Sequence, residues 1–271
     1  MTKFPLIDTL FQMATEQLPE YLVVEWKQIQ RYYLEDRWPG QNVFSAEELD
    51  LIRQDVERLS SGVPLAHVTG IAHFYGKQLK VNSNVLIPRP ETEELVEWVL
   101  QSASKDAKVL DIGTGSGCIA CILAGQRPDL QVFAMDISSE ALEIARKNAD
   151  SLEVDVSFLN DDILQSSEEL QSMNWDLIVS NPPYVKPSEL DGSVLAEPKL
   201  ALLTPEKSPL LYYRAVASYA KSSLLSGGQL FFECSEFHAE DTRDYLEQEG
   251  WKNITLRKDL QGKWRMLKAT K

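Results

Sequence analysis

The sequence predicts an α/β fold, a doubly wound and mainly parallel sheet preceded by a small all-helical domain and a β-hairpin linker. Three observations carry this. From Lys108 onward, short apolar β-runs alternate with helical patterns, the rhythm of βαβ units. From Leu6 to about Ser60, apolar residues recur at three and four positions with no β-run between them. Between the two lies Phe74 to Val81, where the central Gly76 is flanked by alternation, as in a hairpin. The resulting division is 1–62 for the helical domain, 63–87 for the linker and 88–271 for the α/β domain.

Each element has a local reason. The first helical stretch carries Leu10, Phe11, Met13, Ala14 and Leu18, then Tyr21, Leu22, Val24, Trp26 and Ile29, on one apolar side. Ser45 followed three residues on by Glu48 reads as a capping box, and Leu51, Ile52, Val56 and Leu59 form the stripe behind it. Ser60, Ser61 and Gly62 should end that helix. Pro88-Arg89-Pro90 starts the next one, because proline is tolerated at the first helical position and Glu91, Glu93 and Glu94 favour its positive end. Leu95, Val96, Trp98 and Val99 are its core side. Strands are expected at Val109 to Ile112, Gln131 to Met135, Val154 to Leu159 and Leu177 to Val179, with helices at Ile119 to Ala124 and Ala141 to Ala149. Leu210 to Leu225 reads as a helix ended by Gly227-Gly228, followed by a strand at Leu230 to Glu233, an acidic helix, and a closing pair at Asn253 to Arg257 and Trp264 to Lys268.

Composition narrows the function classes. Acidic residues outnumber basic ones 41 to 27, a net charge of -14, which disfavours a broad phosphate-tracking surface. Three cysteines, Cys118, Cys121 and Cys234, suit a reducing compartment, and the cytoplasm is expected. The first twenty residues lack an apolar segment followed by a small-residue cleavage site, and no stretch is apolar for long enough to span a bilayer. Cys118 and Cys121 at a helix start read as packing residues rather than half a metal site, and His67, His73 and His238 lack ligand spacing. Glu236, Glu240, Asp241, Asp244, Glu247 and Glu249 read as a solvated helix face.

Two loops carry chemistry. Asp111-Ile112-Gly113-Thr114-Gly115-Ser116-Gly117 joins the first α/β strand to its helix, where open sheets place ligands and glycines let backbone approach them. Asp136 closes the second strand, 23 residues beyond Gly113, about the offset at which a carboxylate reaches ribose hydroxyls. Gly115, Gly117 and Ala120 also satisfy a permissive dinucleotide pattern. Asp111 argues against it, because a carboxylate repels a pyrophosphate yet attracts the cationic amino-acid end of S-adenosyl-L-methionine. Asp162 and Ile163 follow the third strand as candidates beside an adenine, with a surface turn as the plainer reading of Asp162.

The second loop, Asn181-Pro182-Pro183-Tyr184, follows the apolar run Trp175 to Ser180. Asn181 offers a side-chain acceptor, each proline frees a backbone carbonyl without donating an N–H, and Tyr184 adds a flat face with a hydroxyl. Two such acceptors grip the two hydrogens of one NH2 group. Glu233 ends a strand at the same sheet edge, and the residues alone leave open whether it touches the site.

Taken together, Ile87 to Glu93 (IPRPETE), Asp111 to Gly117, Asp136 and Asn181 to Tyr184 resemble the peptide chain release factor glutamine methyltransferases. The resemblance runs over essentially the whole chain, including Gly62 to Gly70, Glu197-Pro198 and Ala201-Leu202. It implies a class I, Rossmann-like, seven-stranded methyltransferase domain that binds S-adenosyl-L-methionine. The implied reaction methylates the glutamine side-chain amide of the Gly-Gly-Gln motif of class I peptide chain release factors. Gly113, Thr114, Gly115, Ser116, Gly117 and Asp136 would then contact the methyl donor, with Ile163 beside the adenine, and Asn181, Pro182, Pro183 and Tyr184 would hold the glutamine. The chain departs from the family after Glu233, where Cys234-Ser235-Glu236-Phe237-His238 replaces an expected glycine and glutamine. Two rival readings stay in view. Adenine and guanine amino groups are methylated by enzymes with the same loop, but those need a nucleic-acid surface, which the charge disfavours. A non-catalytic binding protein is the other.

Overall fold

The computed structural model describes Ile7, Phe11 and residues 22–41, 43–189 and 196–271. The expected helical positions Leu10, Met13, Ala14, Leu18 and Tyr21 lie outside the described residues. The chain forms two compact units that divide after Ile71.

The first unit is helical: α1 (Leu22–Arg37), α2 (Ala46–Ser60) and the short α3 (Leu65–Thr69). The capping box is formed as the sequence predicts, with the Glu48 amide donating to Ser45 Oγ at 3.2 Å and the Ser45 amide to Glu48 Oε2 at 2.7 Å. Tyr33, Phe44, Ile52, Val56, Leu59 and Val68 make one apolar core with Ile7 and Phe11. A buried carboxylate crosses it, Asp55, which accepts the Tyr33 hydroxyl at 2.9 Å and lies 3.5 Å from Arg37 and 3.4 Å from Arg58. Paired in this way, the charge is tolerated inside.

The second unit opens with a hairpin of β1 (Ile71–Phe74) and β2 (Lys77–Lys80). Tyr75 and Gly76 both have positive φ, +50° and +69°, the requirement of a two-residue turn whose twist matches the strands. Pro90 then begins α4 (Pro90–Ser102) at its first turn. The sheet has seven strands in the order β5-β4-β3-β6-β7-β9-β8. They are β3 (Lys108–Ile112), β4 (Gln131–Asp136), β5 (Ser157–Asn160), β6 (Trp175–Ser180), β7 (Leu224–Glu233), β8 (Lys252–Lys258) and β9 (Trp264–Thr270). The first five are parallel, and β9 runs antiparallel to both β7 and β8. Crossover helices are α5 (Cys118–Gln126), α6 (Ser139–Leu152), α7 (Glu168–Gln171) and α9 (Leu211–Ser223), with α8 (Lys199–Leu202) before α9 and α10 (Ala239–Gln248) before β8.

Alternate residues of each strand feed opposite cores. Leu110, Ile178, Leu230 and Phe232 pack with Tyr213 and Val216 of α9 on one face. Val109, Leu177, Val179 and Phe231 pack with Leu95 and Trp98 of α4 and Ile119 of α5 on the other. Because the strands are covered on both faces, they read in sequence as continuous apolar runs rather than alternating ones.

Two differences from the expected boundaries have a visible cause. The third strand begins at Ser157, not Val154, because Glu153 turns the chain at φ +55° and pairing with β4 starts only at Ser157. Gly227-Gly228 does not separate helix from strand. β7 already begins at Leu224, paired with Trp175, and the register shifts before Leu177 meets Gln229, so the glycines sit in a bulge inside the strand. Among the described residues, no helix is long and apolar enough to cross a membrane.

Candidate active site

The strand order reverses direction between β3 and β6, so their carboxyl ends flank a crevice of the kind in which open α/β sheets hold ligands. Register brings Ile112, Met135 and Ser180 level, and Ser180 Oγ donates to the Ile112 carbonyl at 2.8 Å, tying the two strand ends together. The loops that leave these ends are the two singled out in the sequence.

The glycine loop is tied to the end of the neighbouring strand β4. The Gly113 and Thr114 amides both donate to the Met135 carbonyl at 2.9 Å, and the Gly115 amide donates to Asp136 Oδ2 at 2.9 Å. Gly113 and Gly115 have φ +73° and +55°, and a Cβ built on either meets nothing within 4 Å, so the backbone presents open space to a ligand. Gly117 answers to a different constraint. Its Cβ would fall 2.9 Å from Ala145 Cβ, so this glycine lets α5 pack on α6.

A cavity of about 440 Å³ lies over these loops. Of the residues predicted to form a site, Gly113, Gly115, Asp136, Asp162, Ile163, Asn181, Pro182 and Pro183 line it. Asp111, Thr114, Ser116, Gly117 and Tyr184 are not on its wall. Asp111 is fully buried; its Oδ2 accepts the Thr114 hydroxyl at 2.6 Å, while Oδ1 and the Ser116 hydroxyl have no partner among the described residues. Burial pushes the Asp111 carboxyl up to about 7, opposed by Thr114. Asp136, half-buried on the wall, is also shifted upward by burial, which its bonds from the Ser138 and Gly115 amides oppose. Asp162 lines the cavity, and its Oδ1 accepts the Leu164 amide at 2.8 Å in a turn.

Asn181 and Tyr184 are held from afar. Asn181 Nδ2 donates to Thr92 Oγ1 at 3.4 Å, and the Tyr184 hydroxyl donates to Glu233 Oε1 at 3.3 Å. Just beyond, the Val185 amide donates to the Leu202 carbonyl and the Thr204 amide to the Val185 carbonyl, both at 2.9 Å.

Comparison with known proteins accords with this geometry. Residues 90–197 match the family model described as Methyltransferase small domain. A release factor glutamine methyltransferase of Flavobacterium psychrophilum is 44% identical over 221 residues, covering 78% of this chain and 77% of that one. The chain belongs to the release factor glutamine methyltransferase family. A second member, from Bacteroides thetaiotaomicron, is 41% identical over 218 residues, covering 79% of this chain and 78% of its own. In fold, the chain is similar to a methyltransferase of Pyrococcus furiosus, with TM-score 0.54 and 18% identity over 79% of this chain and 96% of that one.

Several residues at this candidate site escaped the sequence reading. Val85 and Leu86 line the cavity from the loop after the hairpin, Leu200 from α8, and Tyr212 and Val216 from α9. No short-range pattern marks them, since each reaches the cavity only through tertiary packing. Asn148 of α6 is another: its Oδ1 accepts the Lys80 amide at 2.6 Å, and its Nδ2 donates to the Lys80 and Ser116 carbonyls, each at 2.9 Å. Glu197 accepts both the Ile87 amide, at 3.0 Å, and the Arg89 guanidinium, fixing the segment before α4. At the departure after Glu233, Cys234 is fully buried with its amide donating to the Arg265 carbonyl at 2.7 Å, and Phe237 is 72% exposed. None of Cys234 to His238 lines the cavity. The acidic residues of α10 are exposed, and Glu236 pairs with Lys263 at 2.8 Å.

Proposed function

We propose that Asn181, Pro182 and Pro183, with Tyr184 behind them, hold the substrate glutamine, and that Gly113, Gly115, Asp136, Asp162 and Ile163 hold the methyl donor, in the reaction of this family. The chain is an S-adenosyl-L-methionine-dependent protein-(glutamine-N5) methyltransferase, acting on the Gly-Gly-Gln glutamine of class I peptide chain release factors. The observation that carries the residue roles is that both loops open onto one cavity at the β3/β6 crevice.

The residues present fit the donor. The uncrowded backbone of Gly113 and Gly115 accepts a ligand at close range, and the Asp136 carboxylate suits ribose hydroxyls. Ile163 gives an apolar neighbour for a flat ring. Thr114, Ser116, Gly117 and Asp111 shape the loop from behind. When bound, S-adenosyl-L-methionine supplies a methyl group made electrophilic by its sulfonium.

The protein's task is to make an amide nitrogen nucleophilic by holding it. An amide lone pair is delocalised into its carbonyl, so orientation matters more than removal of a proton. Asn181 Oδ1 and the Pro182 carbonyl would each accept one N–H, leaving the lone pair directed into the cavity. Well-oriented partners recover roughly 7 to 11 kcal/mol of barrier. Tyr184, behind the cavity wall and bonded to Glu233, would steady the loop that carries these acceptors.

The net charge of -14 supports a protein substrate rather than direct nucleic-acid contact, and three free cysteines support a cytoplasmic setting. The helical domain, 1–62, with the linker 63–87 ahead of the catalytic domain 88–271, would grip the release factor away from the reactive loop, since one glutamine offers little surface for specificity. The test is mass spectrometry of a purified class I release factor after incubation with enzyme and donor. One methyl on the Gly-Gly-Gln glutamine is expected. Asn181→Ala should lower turnover on the order of 100-fold or more while donor affinity holds; wild-type turnover in that variant would sink the role given to Asn181.

A further inference from the structure

Glu233, the last residue of β7, is 1% exposed, yet both of its oxygens are engaged by residues distant in sequence. Oε2 accepts the Thr92 hydroxyl at 2.6 Å, and Oε1 accepts the Tyr184 hydroxyl at 3.3 Å. Thr92 is 2% exposed in the first turn of α4, and its Oγ1 is the acceptor for Asn181 Nδ2 at 3.4 Å. A buried carboxylate, a buried hydroxyl and the substrate-facing amide thus form one chain.

The polarity of that chain is set at its far end. An ionised carboxylate only accepts, so the single Thr92 hydroxyl proton goes to Glu233. The Thr92 oxygen is then left as an acceptor. Only the NH2 end of Asn181 satisfies it, which turns Oδ1 away from Thr92 and leaves it free for a ligand. The two ends of an asparagine amide are nearly the same size, so shape alone does not choose between them. With the amide reversed, Asn181 would offer N–H to the N–H of a glutamine, donor against donor.

We propose that Thr92 and Glu233 are positioning residues that fix the amide orientation of Asn181, so that the glutamine NH2 meets an acceptor. This rests on the role given to Asn181 above. Glu233 also steadies Tyr184, so one carboxylate orients both ends of the Asn181–Tyr184 loop. At 3.4 Å the Asn181–Thr92 contact is long for an amide donor, so the relay biases the amide rather than clamping it.

The relay makes turnover sensitive to protonation of Glu233. A protonated Glu233 can donate to Thr92, whose own proton is then free to meet Asn181 Oδ1, and the chain runs backwards. Burial shifts the Glu233 carboxyl upward from the ordinary range; Thr92, Arg265 of β9 and Tyr184 oppose this, and Glu91 of α4 adds to it. The other titratable groups against it are Cys234 and Tyr213, the latter donating its hydroxyl to the Glu233 carbonyl at 3.3 Å.

The experiment measures kcat, KM for a purified class I release factor, and donor affinity by calorimetry, each as a function of pH. Thr92→Val is expected to lower kcat roughly 10- to 100-fold, with donor affinity and release factor KM nearly unchanged, and Thr92→Ser should restore most of the loss. Glu233→Gln should lower kcat and remove the acid-side fall in turnover. If Thr92→Val and Glu233→Gln both keep wild-type kcat and acid-side profile while Asn181→Ala is inactive, the relay is overturned and the role of Asn181 stands. If Asn181→Ala turns over normally, that role itself fails. A kcat loss that serine does not rescue and that tracks an equal loss of donor affinity marks a merely structural contact and also overturns the relay. Should Thr92→Val not fold, the acid-side profile of Glu233→Gln decides.

Discussion

The two loops at the cavity are held across different spans of the chain. The glycine loop after β3 is fixed by short-range bonds, Thr114 to Asp111 three residues back and the Gly117 amide to the Thr114 carbonyl at 2.8 Å, and by the adjacent end of β4, where the Gly115 amide bonds Asp136 at a separation of 21. The Asn181–Tyr184 loop after β6 is fixed by residues far along the chain, Thr92 at a separation of 89 and Glu233 at 49. A locally closed loop keeps its shape while the sheet edge stands. A loop hung on α4 and β7 keeps its shape only while those elements are in register. Donor binding and turnover should therefore be separable by mutation, and three substitutions bear on that separation.

The largest effect is expected at Gly117. Its φ is +79°, and an added Cβ would meet Ala145 Cβ at 2.9 Å and Ala145 Cα at 3.2 Å, the latter backbone that cannot swing aside. Gly117→Ala should cost about 4 kcal/mol, from positive φ and overpacking together. Chemical unfolding would measure the cost, and donor affinity should fall with it because the glycine loop and α5 move together. A variant that unfolds like wild type would break the comparison, since the loop would then not depend on its local packing.

Next in size is the buried carboxylate behind that loop. Asp111 is raised by burial from 3.8 to about 7. A raised acid binds protons more tightly in the folded state, so its contribution is full below the unfolded value and is lost as pH rises through the folded one. In apo enzyme, Asp111→Asn should abolish that part of the pH dependence, making the variant more stable than wild type at pH near 8 by on the order of 2 kcal/mol, with the difference shrinking toward pH near 4. Parallel stability curves for the two proteins would mean that Asp111 does not titrate in this window.

The same contrast explains what was legible in the sequence. Asp111 to Gly117, Asp136 and Asn181 to Tyr184 are contiguous runs or sit at a fixed offset, so residue type and spacing suffice to flag them. The capping box at Ser45 and Pro90 at a helix start were legible for the same reason. Thr92 was read only as part of the Ile87 to Glu93 run at a helix start, with no role of its own, because its relation to Glu233, 141 residues away, exists only after β7 has taken its place beside β6. Asn148 and Glu197 belong to the same class: each bonds backbone from a segment that no periodicity connects to it. The strand start at Leu224 was missed because Gly227-Gly228 reads as a terminator, and only pairing with Trp175 turns those glycines into a bulge.

The smallest effect tests the distant half most selectively. Tyr184→Phe keeps the ring and removes only the hydroxyl that donates to Glu233 Oε1 at 3.3 Å. That bond is one of those that lower the proton affinity of Glu233, so its loss moves the Glu233 carboxyl further upward. Turnover at neutral pH should fall only about two- to fivefold, since a bond this long contributes at the low end for a charged acceptor. The acid-side fall in kcat should shift toward higher pH, and donor affinity should stay where it was. Because the Asn181–Thr92 contact is untouched, that pH shift would isolate the charge state of Glu233 as the controlling variable. A uniform loss at every pH would instead assign the hydroxyl to contact with the substrate, and the two loops would no longer differ in what holds them.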